Sequence, residues 1–280
     1  MNANRDRLTN LPIRRNLGLF FALSFLIALL MAIASAVGLL YPTIIYPAEE
    51  LSRAFVPNDI VNLVVGLPIL LVSLGLALRG KLVGLLCWPG ALLFVIYTYT
   101  GYTFALPLSW AFPLYLVLAV ASVYTLVGLV ASIDGKAVQQ RLTGAVPEKV
   151  TGGILAGLGL LFLLRVMGVI VGALINETVI ADADLGVNIA DFFVAPSLVI
   201  GGILLWQRKE LGYVTGLGLL FQTSMLFIGL IGFMLLQPLL TTEPFAITDV
   251  IVVFVMGLVC FIPFVLFVRG VVAKRHSPST

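Results

Sequence analysis

The chain has 280 residues, of which 61% are hydrophobic and only 10% are charged, with a formal net charge of +3. A soluble domain carries roughly 25% charged residues, so this composition excludes an ordinary soluble globular protein. The basic residues are scattered over short polar stretches, so the sequence also predicts no nucleic-acid partner.

Eight apolar segments are each long enough to cross a lipid bilayer. We therefore expect an all-α polytopic transmembrane helix bundle. The predicted spans are residues 17–40, 60–78, 82–102, 108–131, 151–175, 190–206, 212–236 and 248–268. The stretches 46–59 and 176–189 then form long loops on one side of the membrane.

The chain opens with a basic leader, residues 1–16, which precedes the first apolar run. Together with the triplet Ala34, Ser35 and Ala36, this arrangement imitates a secretory signal peptide. The apolar character continues past the triplet to Ile45, which favours a retained span, although the sequence alone does not decide whether the segment is cleaved.

Charge asymmetry predicts the orientation. With eight spans, every Lys and Arg except Arg53 and Arg165 falls on one side, and most acidic residues fall on the other. The positive-inside rule makes the basic side cytoplasmic. We predict a multi-pass protein of the cell inner membrane, with both termini in the cytoplasm and the lipid bilayer as its partner; the oligomeric state stays open.

A constant shift of 128 residues points to an internal repeat. It pairs Glu49 with Glu177, Pro68 with Pro196, Lys81 with Lys209, Gly84 with Gly212 and Gly90 with Gly218. We predict two four-helix halves, residues 17–131 and 151–270, joined by a cytoplasmic linker, 132–150, and followed by a tail, 271–280. Four spans in each half make this a parallel repeat. The alternative is the weak self-similarity of any hairpin-rich membrane protein.

The fifth apolar segment contains a single charge, Arg165. Such a charge is costly in a membrane unless the protein satisfies it. Gly157, Gly168 and Gly172 share its helical face, and small residues mark faces that pack on other membrane helices. We therefore predict that Arg165 faces the interior and a polar cavity that is open to the outside.

Arg165 also needs a polar partner. We predict Gln222 of the seventh segment, or a backbone carbonyl freed near Pro68 or Pro196. Gln222 is itself a candidate ligand-binding residue, although a buried glutamine in a membrane more usually bonds to another helix. Asp191 is a further candidate, placed at the start of the sixth span.

The second segment contains a polar stripe. Asp59, Asn62, Gly66, Ser73 and Ala77 follow at helical spacing, so they share one face. This face is either a wall that contacts a substrate or ion, or a helix–helix interface in which Asp59 caps the helix.

Aromatic residues cluster at the end of the third segment, where Tyr97, Tyr99 and Tyr102 precede Phe104 and Trp110. They are typical of an interfacial aromatic belt. The alternative is an aromatic-lined mouth that recognises a ring or a cation.

The sequence predicts no catalytic residue, no metal site and no cofactor. Cys87 and Cys260 are separate apolar-segment residues, and His276 is the single histidine. The acidic run Glu177, Asp182 and Asp184 lacks the spacing of a calcium loop.

Four motifs carry a resemblance: VPNDIVNLVVGLP, LRGK, YTYTGYTF and SWAFPLY. Across residues 55–134 the chain resembles a group of uncharacterised prokaryotic multi-pass membrane proteins with no established activity. The resemblance implies a prokaryotic inner-membrane protein and no mechanism.

The leading functional prediction is a permease or binding module for a small molecule or ion, with a cavity near Arg165, whose guanidinium favours an anionic ligand. One alternative is a structural or accessory membrane subunit without a ligand. The other is a lipid-acting membrane enzyme, for which Asp59 with Glu49 or Glu50 is the candidate pair. An enzyme is the less favoured class, because no familiar catalytic motif is present.

Overall fold

The computed structural model describes residues 11–241 and 245–273, and these ranges are helical apart from turns and one isolated β-bridge. Eight helices are long and apolar enough to span a membrane, which confirms the predicted all-α multi-pass bundle. They are α1 (Gly18–Leu40), α2 (Glu49–Leu78), α3 (Leu82–Ala105), α4 (Phe112–Ser132), α5 (Glu148–Asn176), α6 (Asp182–Trp206), α7 (Glu210–Leu240) and α8 (Ile247–Ala273).

Two helices begin earlier than predicted. α2 begins at Glu49 and α6 at Asp182, not at Ile60 and Ala190. The predicted starts were wrong because only apolar residues were counted as part of a span. Acidic residues also belong in the first turn of a helix, where the partial positive charge of the N-terminus favours them. Asp59 and Asp191 therefore lie well inside their helices and are not at the helix starts.

The centre of the bundle is formed by α3 and α7. In the most apolar 18-residue stretch of α3, 83% of the residues are buried, against 17% in the corresponding stretch of α5. α3 is therefore a core helix and α5 a peripheral one. α3 and α7 touch at Gly90 and Gly218, where a Cβ on Gly90 would overlap the Gly218 carbonyl oxygen. A glycine is required there because the two backbones are in contact.

The other helices surround this pair. α6 packs against α3, where Gly186 lies beside Ala105, and α2 packs against α7, where Val61 lies beside Gly229. α1 and α4 pack together through Phe20 and Gly128. α5 lies mainly against α6, and α8 lies against α7.

One end of the bundle gathers the basic turns. Residues 12–14 pair with residues 132–134: the Arg14 N–H donates to the Ser132 carbonyl (2.8 Å) and the Asp134 N–H to the Pro12 carbonyl (2.8 Å). The Gln139 side chain, on the short helix Gly135–Leu142, donates to the Arg208 carbonyl (2.7 Å). We call this the basic end and the opposite one the acidic end.

The basic end contains Lys81, Arg141 and Lys209, as predicted. Lys81 and Lys209 directly precede α3 and α7, which run side by side from this end, and Arg141 lies on the short helix Gly135–Leu142. Arg275, predicted to share this end, lies outside the described residues.

Candidate functional site

The most buried acidic side chain in a span is that of Asp59, which is 1% exposed. Its carboxylate accepts hydrogen bonds from two tyrosine hydroxyls, Tyr46 at 2.6 Å and Tyr102 at 3.0 Å. Tyr46 belongs to the corner after α1, and Tyr102 to the last turns of α3. Three separate chain segments therefore meet at one carboxyl group.

An aromatic shell surrounds this carboxyl group. Phe55 stacks on Tyr46, with ring centroids 5.6 Å apart, and meets Tyr102 edge-on at 4.6 Å. Tyr115 of α4 lies 5.3 Å from Tyr102, and Tyr99 lies 5.5 Å from it. We call these six residues the tyrosine cluster: Tyr46, Phe55, Asp59, Tyr99, Tyr102 and Tyr115.

Helix α2 is irregular directly after Asp59. Residues Asn62–Gly66 form a π-helical segment, and Pro68 follows in the next turn. The Asn62 side chain donates a hydrogen bond to the Tyr102 oxygen at 3.3 Å, so the irregular segment is part of the same network. Single π-helical turns inside α-helices are frequent at functional sites.

Gly38 of α1 closes the tyrosine cluster on one side. A Cβ on Gly38 would overlap both the Asp59 carboxylate and the Tyr46 hydroxyl. The α1 backbone therefore lies directly against the carboxyl group, and the site has no spare volume on this side.

No described residue forms a salt bridge with Asp59. The salt bridges among the described residues join Arg14 to Asp134, Arg53 to Glu49 and Arg165 to Asp191. A charged carboxylate without a cation is costly in a membrane interior, so the protonation state of Asp59 becomes the chemical question of this site.

The second polar group in the spans is the pair of Arg165 and Asp191. The guanidinium of Arg165 donates to the Asp191 carboxylate at 2.6 Å. The Arg165 side chain is 46% exposed and that of Asp191 only 9%. The side chain of Tyr97 also lies close to Asp191.

This pair corrects the predicted environment of Arg165. Its partner is Asp191, and neither Gln222 nor a freed carbonyl takes that place, because α6 begins early and carries Asp191 to the level of Arg165. Gly157, Gly168 and Gly172 have no neighbouring atom within 4 Å of an added Cβ, so the glycine face is open and unpacked.

A different glycine face of α5 does pack against α6. Gly152 and Gly159 of α5 meet the α6 backbone near Gly202 and Ala195. The predicted rule that small residues mark the interface holds, but it applies to another face of the helix.

The remaining predicted residues lie outside both groups. Gln222 is fully buried, and its side-chain nitrogen has no hydrogen-bond partner among the described residues. Its side-chain oxygen faces the Thr223 hydroxyl at 3.4 Å. Ser73 is buried on α2, two turns after the π-helical segment.

The structure thus divides the predicted site residues into two groups. Asp59, Asn62, Tyr99 and Tyr102 come together in one, and Tyr97, Arg165 and Asp191 in the other. The aromatic belt prediction was wrong for Tyr99 and Tyr102, which are buried, whereas Phe104 and Trp110 are exposed as a belt requires.

Sequence reasoning missed Tyr46, Tyr115 and Gly38. Tyr46 lies in a predicted loop, and Tyr115 lies in the predicted fourth span, in which no site residue was predicted. Each reaches Asp59 only through the packing of different helices, and helical spacing records neighbours within one helix only. The pattern of the chain therefore offers no signal for them.

A comparison with models of protein families finds no match, and comparisons with curated proteins and with solved structures find none either.

Proposed function

We propose that this integral membrane protein binds and releases a proton at Asp59, as the ion-binding step of a permease or binding module. The observation that supports the proposal is a buried carboxyl group whose hydrogen-bond network has partners for both of its protonation states. Support for a proton as the ligand comes in three steps: charge, space and hydrogen bonding.

The first step concerns charge. Asp59 is buried and has no salt-bridge partner among the described residues. Ionisable groups inside membrane spans are expensive, and they mark ion pathways and proton relays more often than packing. An ionised Asp59 would therefore be stabilised by a positively charged ligand.

The second step concerns space. The two carboxylate oxygens are occupied by the hydroxyls of Tyr46 and Tyr102, and Gly38 lies against them without a gap. A metal ion or an organic cation would have to displace these groups. A proton needs no vacant volume, and this geometry favours it over larger cations.

The third step concerns the hydrogen bonds. With the carboxylate charged, both hydroxyls donate to it. With Asp59 protonated, its own O–H donates to the Tyr102 oxygen, and the Tyr102 hydroxyl turns to the Phe55 carbonyl, which lies 3.5 Å away. A hydroxyl can donate and accept, so Asp59, Tyr46 and Tyr102 each keep a hydrogen-bond partner in either state.

The π-helical segment gives the proton a structural consequence. Asn62 contacts Tyr102, so turning the Tyr102 hydroxyl changes a hydrogen bond at the first residue of this segment. A helix with irregular hydrogen bonding can bend or shift at that point. We expect α2 to be the helix that responds to the proton.

The proposal is tested by infrared difference spectroscopy between acidic and alkaline pH in reconstituted membranes. We expect a protonated-carboxyl C=O band that disappears in Asp59→Asn and remains in Asp249→Asn, an exposed aspartate at the acidic end. A band that survives Asp59→Asn contradicts the proposal. A band controlled by Na⁺ or K⁺ and unaffected by pH identifies a metal cation instead.

Transport requires a separate measurement. Proteoliposomes with an enclosed pH-sensitive dye should show proton movement in the wild type and none in Asp59→Asn. If the infrared band is lost but neither protein moves protons, Asp59 binds a proton in a binding module and the permease is excluded.

An accessory subunit is the second candidate function. It is favoured by Arg165, which already has a carboxylate partner and lies beside the open Gly168 and Gly172. A neutralised arginine offers less to an anionic ligand than a free one. Purification in a mild detergent followed by native mass spectrometry distinguishes a complex from a single chain.

The four-plus-four repeat is part of the same proposal. The turns after α2 and α6 have equivalent backbones: Gly80 and Arg208 both have positive φ, at 67° and 57°. The Lys81 N–H donates to Leu76 (3.0 Å) as the Lys209 N–H does to Leu204 (2.8 Å). Gly90 and Gly218, which the shift also pairs, touch each other, and this contact supports a twofold axis that passes between them.

The orientation also remains a proposal. The basic end holds residues 12–14, the linker and the turns after α2 and α6, so the positive-inside rule makes it cytoplasmic. The tyrosine cluster would then lie in the outer half of a cell membrane. Accessibility labelling of a cysteine placed in the turn at Gly80, in whole cells, tests this assignment.

A further inference from the structure

A lateral groove lies on the opposite half of the molecule from the tyrosine cluster. It has a volume of about 550 Å³ and is lined by α3, α4, α6 and α7. Gly90 and Gly218, where α3 and α7 touch, form part of its wall, and Val127 and Ile200 stand at its exposed sides. Its volume falls within the ~300–1,000 Å³ of small-molecule sites.

The lining of the groove offers almost nothing polar. Its two hydroxyls belong to Ser197 and Thr215, and each donates to a carbonyl of its own helix, at 2.6 Å and 2.9 Å. Neither hydroxyl needs a ligand to satisfy it. The occupant must therefore be apolar along its length, because a polar one would lose its hydrogen bonds to water.

The dimensions of the groove match a hydrocarbon chain. The α7 lining runs from Leu211 to Leu219, about 12 Å at 1.5 Å per residue. One leaflet of the hydrocarbon core is about 15 Å deep. The groove therefore follows most of one leaflet, and it begins at the basic end, where α7 starts at Glu210.

Cationic side chains stand at the basic end of the groove. Lys209 directly precedes α7, and Lys136 lies in the first turn of the short helix Gly135–Leu142, which follows α4. Both are exposed, and no described residue forms a salt bridge with either. Glu210 lies against Gly135, and the neighbouring Asp134 is paired with Arg14. Lys136, Arg208 and Lys209 therefore outnumber the remaining carboxylate, and this region has a net positive charge.

We propose that this groove is a binding site for one acyl chain of an anionic membrane lipid, with the chain along α7 and the headgroup at Lys136 and Lys209. The apolar lining selects the chain and the lysines select the headgroup charge. This site is independent of Asp59, because the two are formed by different residues at opposite ends of the bundle.

Photocrosslinking tests the chain in the unmodified protein. Vesicles of phosphatidylglycerol carrying a diazirine on the acyl chain are used, and labelled peptides are identified by mass spectrometry. We expect labelling concentrated in the groove segments 126–131, 197–204 and 211–219. Labelling spread evenly over α5 and α8, the peripheral helices, indicates ordinary bilayer lipid and overturns the proposal.

Variants test the groove directly. Thr215→Phe places a ring in the groove and should lower groove labelling at least several-fold, whereas Thr215→Val should not. Leu161→Phe, on the exposed face of α5, is the matched control for an added ring. Unchanged labelling in a folded Thr215→Phe protein overturns the proposal.

The headgroup is tested by the double variant Lys136→Gln/Lys209→Gln. Unlabelled phosphatidylglycerol or phosphatidylcholine is then added as a competitor. In the wild type, phosphatidylglycerol should displace the labelled lipid from the groove better than phosphatidylcholine does. The double variant should lose this preference and keep the chain labelling. If the double variant still prefers phosphatidylglycerol, the two lysines do not bind the headgroup. If the wild type shows no such preference, the proposal of an anionic headgroup is overturned.

Discussion

Asp59 and Asp191 lie at similar depths in two membrane helices, about ten residues from the acidic ends of α2 and α6, but they are satisfied in different ways. Asp191 faces the guanidinium of Arg165, whereas Asp59 faces two hydroxyls and no described cation. A fixed positive charge holds its partner in one charge state. Hydroxyls can reorganise around either state, so only the Asp59 environment is suited to exchanging a proton.

The largest expected effect on the free energy of unfolding comes from removing the cation beside Asp191. Arg165→Gln leaves Asp191 without its cation, and removing one member of a buried ion pair costs about 3–5 kcal/mol. Because Arg165 is partly exposed, we expect the lower part of that range. The double variant Arg165→Leu/Asp191→Leu should recover most of the loss in thermal unfolding. If the double variant is no more stable than the single one, the pair is not the dominant contact of Asp191.

A smaller effect is expected for a hydroxyl of the tyrosine cluster. Tyr46→Phe deprives the Asp59 carboxyl of one donor, and a buried group left unsatisfied costs about 1–3 kcal/mol. Tyr97→Phe should cost less, because Arg165 still binds Asp191. Tyr124→Phe, an exposed tyrosine on α4, is the control and should unfold at the wild-type temperature. Equal losses at Tyr46 and Tyr97 would remove the contrast between the two environments.

Asp59→Asn should be milder still. The amide keeps one acceptor oxygen for Tyr46, and its NH₂ can donate to Tyr102 as a protonated carboxyl would, so we expect the loss of a single hydrogen bond, about 0.5–1.5 kcal/mol. The variant should be clearly more stable than Arg165→Gln in the same unfolding assay. The reverse order would mean that Asp59 is charged and paired in the folded protein.

The smallest effect concerns an ion pair outside the spans. The hydrogen bond from Arg14 lowers the pKa of the exposed Asp134 below its usual value. A lowered pKa stabilises the folded protein above the normal pKa of aspartate, and this contribution disappears as the pH falls through the folded-state value. Arg14→Gln should therefore lower the unfolding temperature slightly at neutral pH and not at strongly acidic pH. A difference that grows on acidification would contradict the assignment.

The number and type of the spans were predictable because a segment can cross a membrane only if it is apolar over a sufficient length. Eight spans follow from that criterion. It fails where helices continue into polar sequence, as α2 does from Glu49 to Asp59, since hydropathy does not report helicity. The polar stripe of Asp59, Asn62 and Ser73 was predicted correctly as one face, and all three are buried.

The partners of that face were not predictable. Asp59 bonds to tyrosines 13 and 43 residues away, and Arg165 bonds to an aspartate 26 residues away. Such pairs depend on which helices are neighbours and how deep each one lies. The glycine argument failed for the same reason: α5 has glycines on two faces, and only the position of α6 determines which face is packed.

The pairing of the leader with the linker has a consequence for biosynthesis. Arg14 and Asp134 are separated by 120 residues, so this contact cannot form until α4 has been translated. At ribosomal rates of ~5–20 residues per second, this interval lasts about 6–24 seconds. During that time Arg14 is without this contact. The contact therefore joins the start of the chain to the region after α4 only once α1 to α4 have been translated.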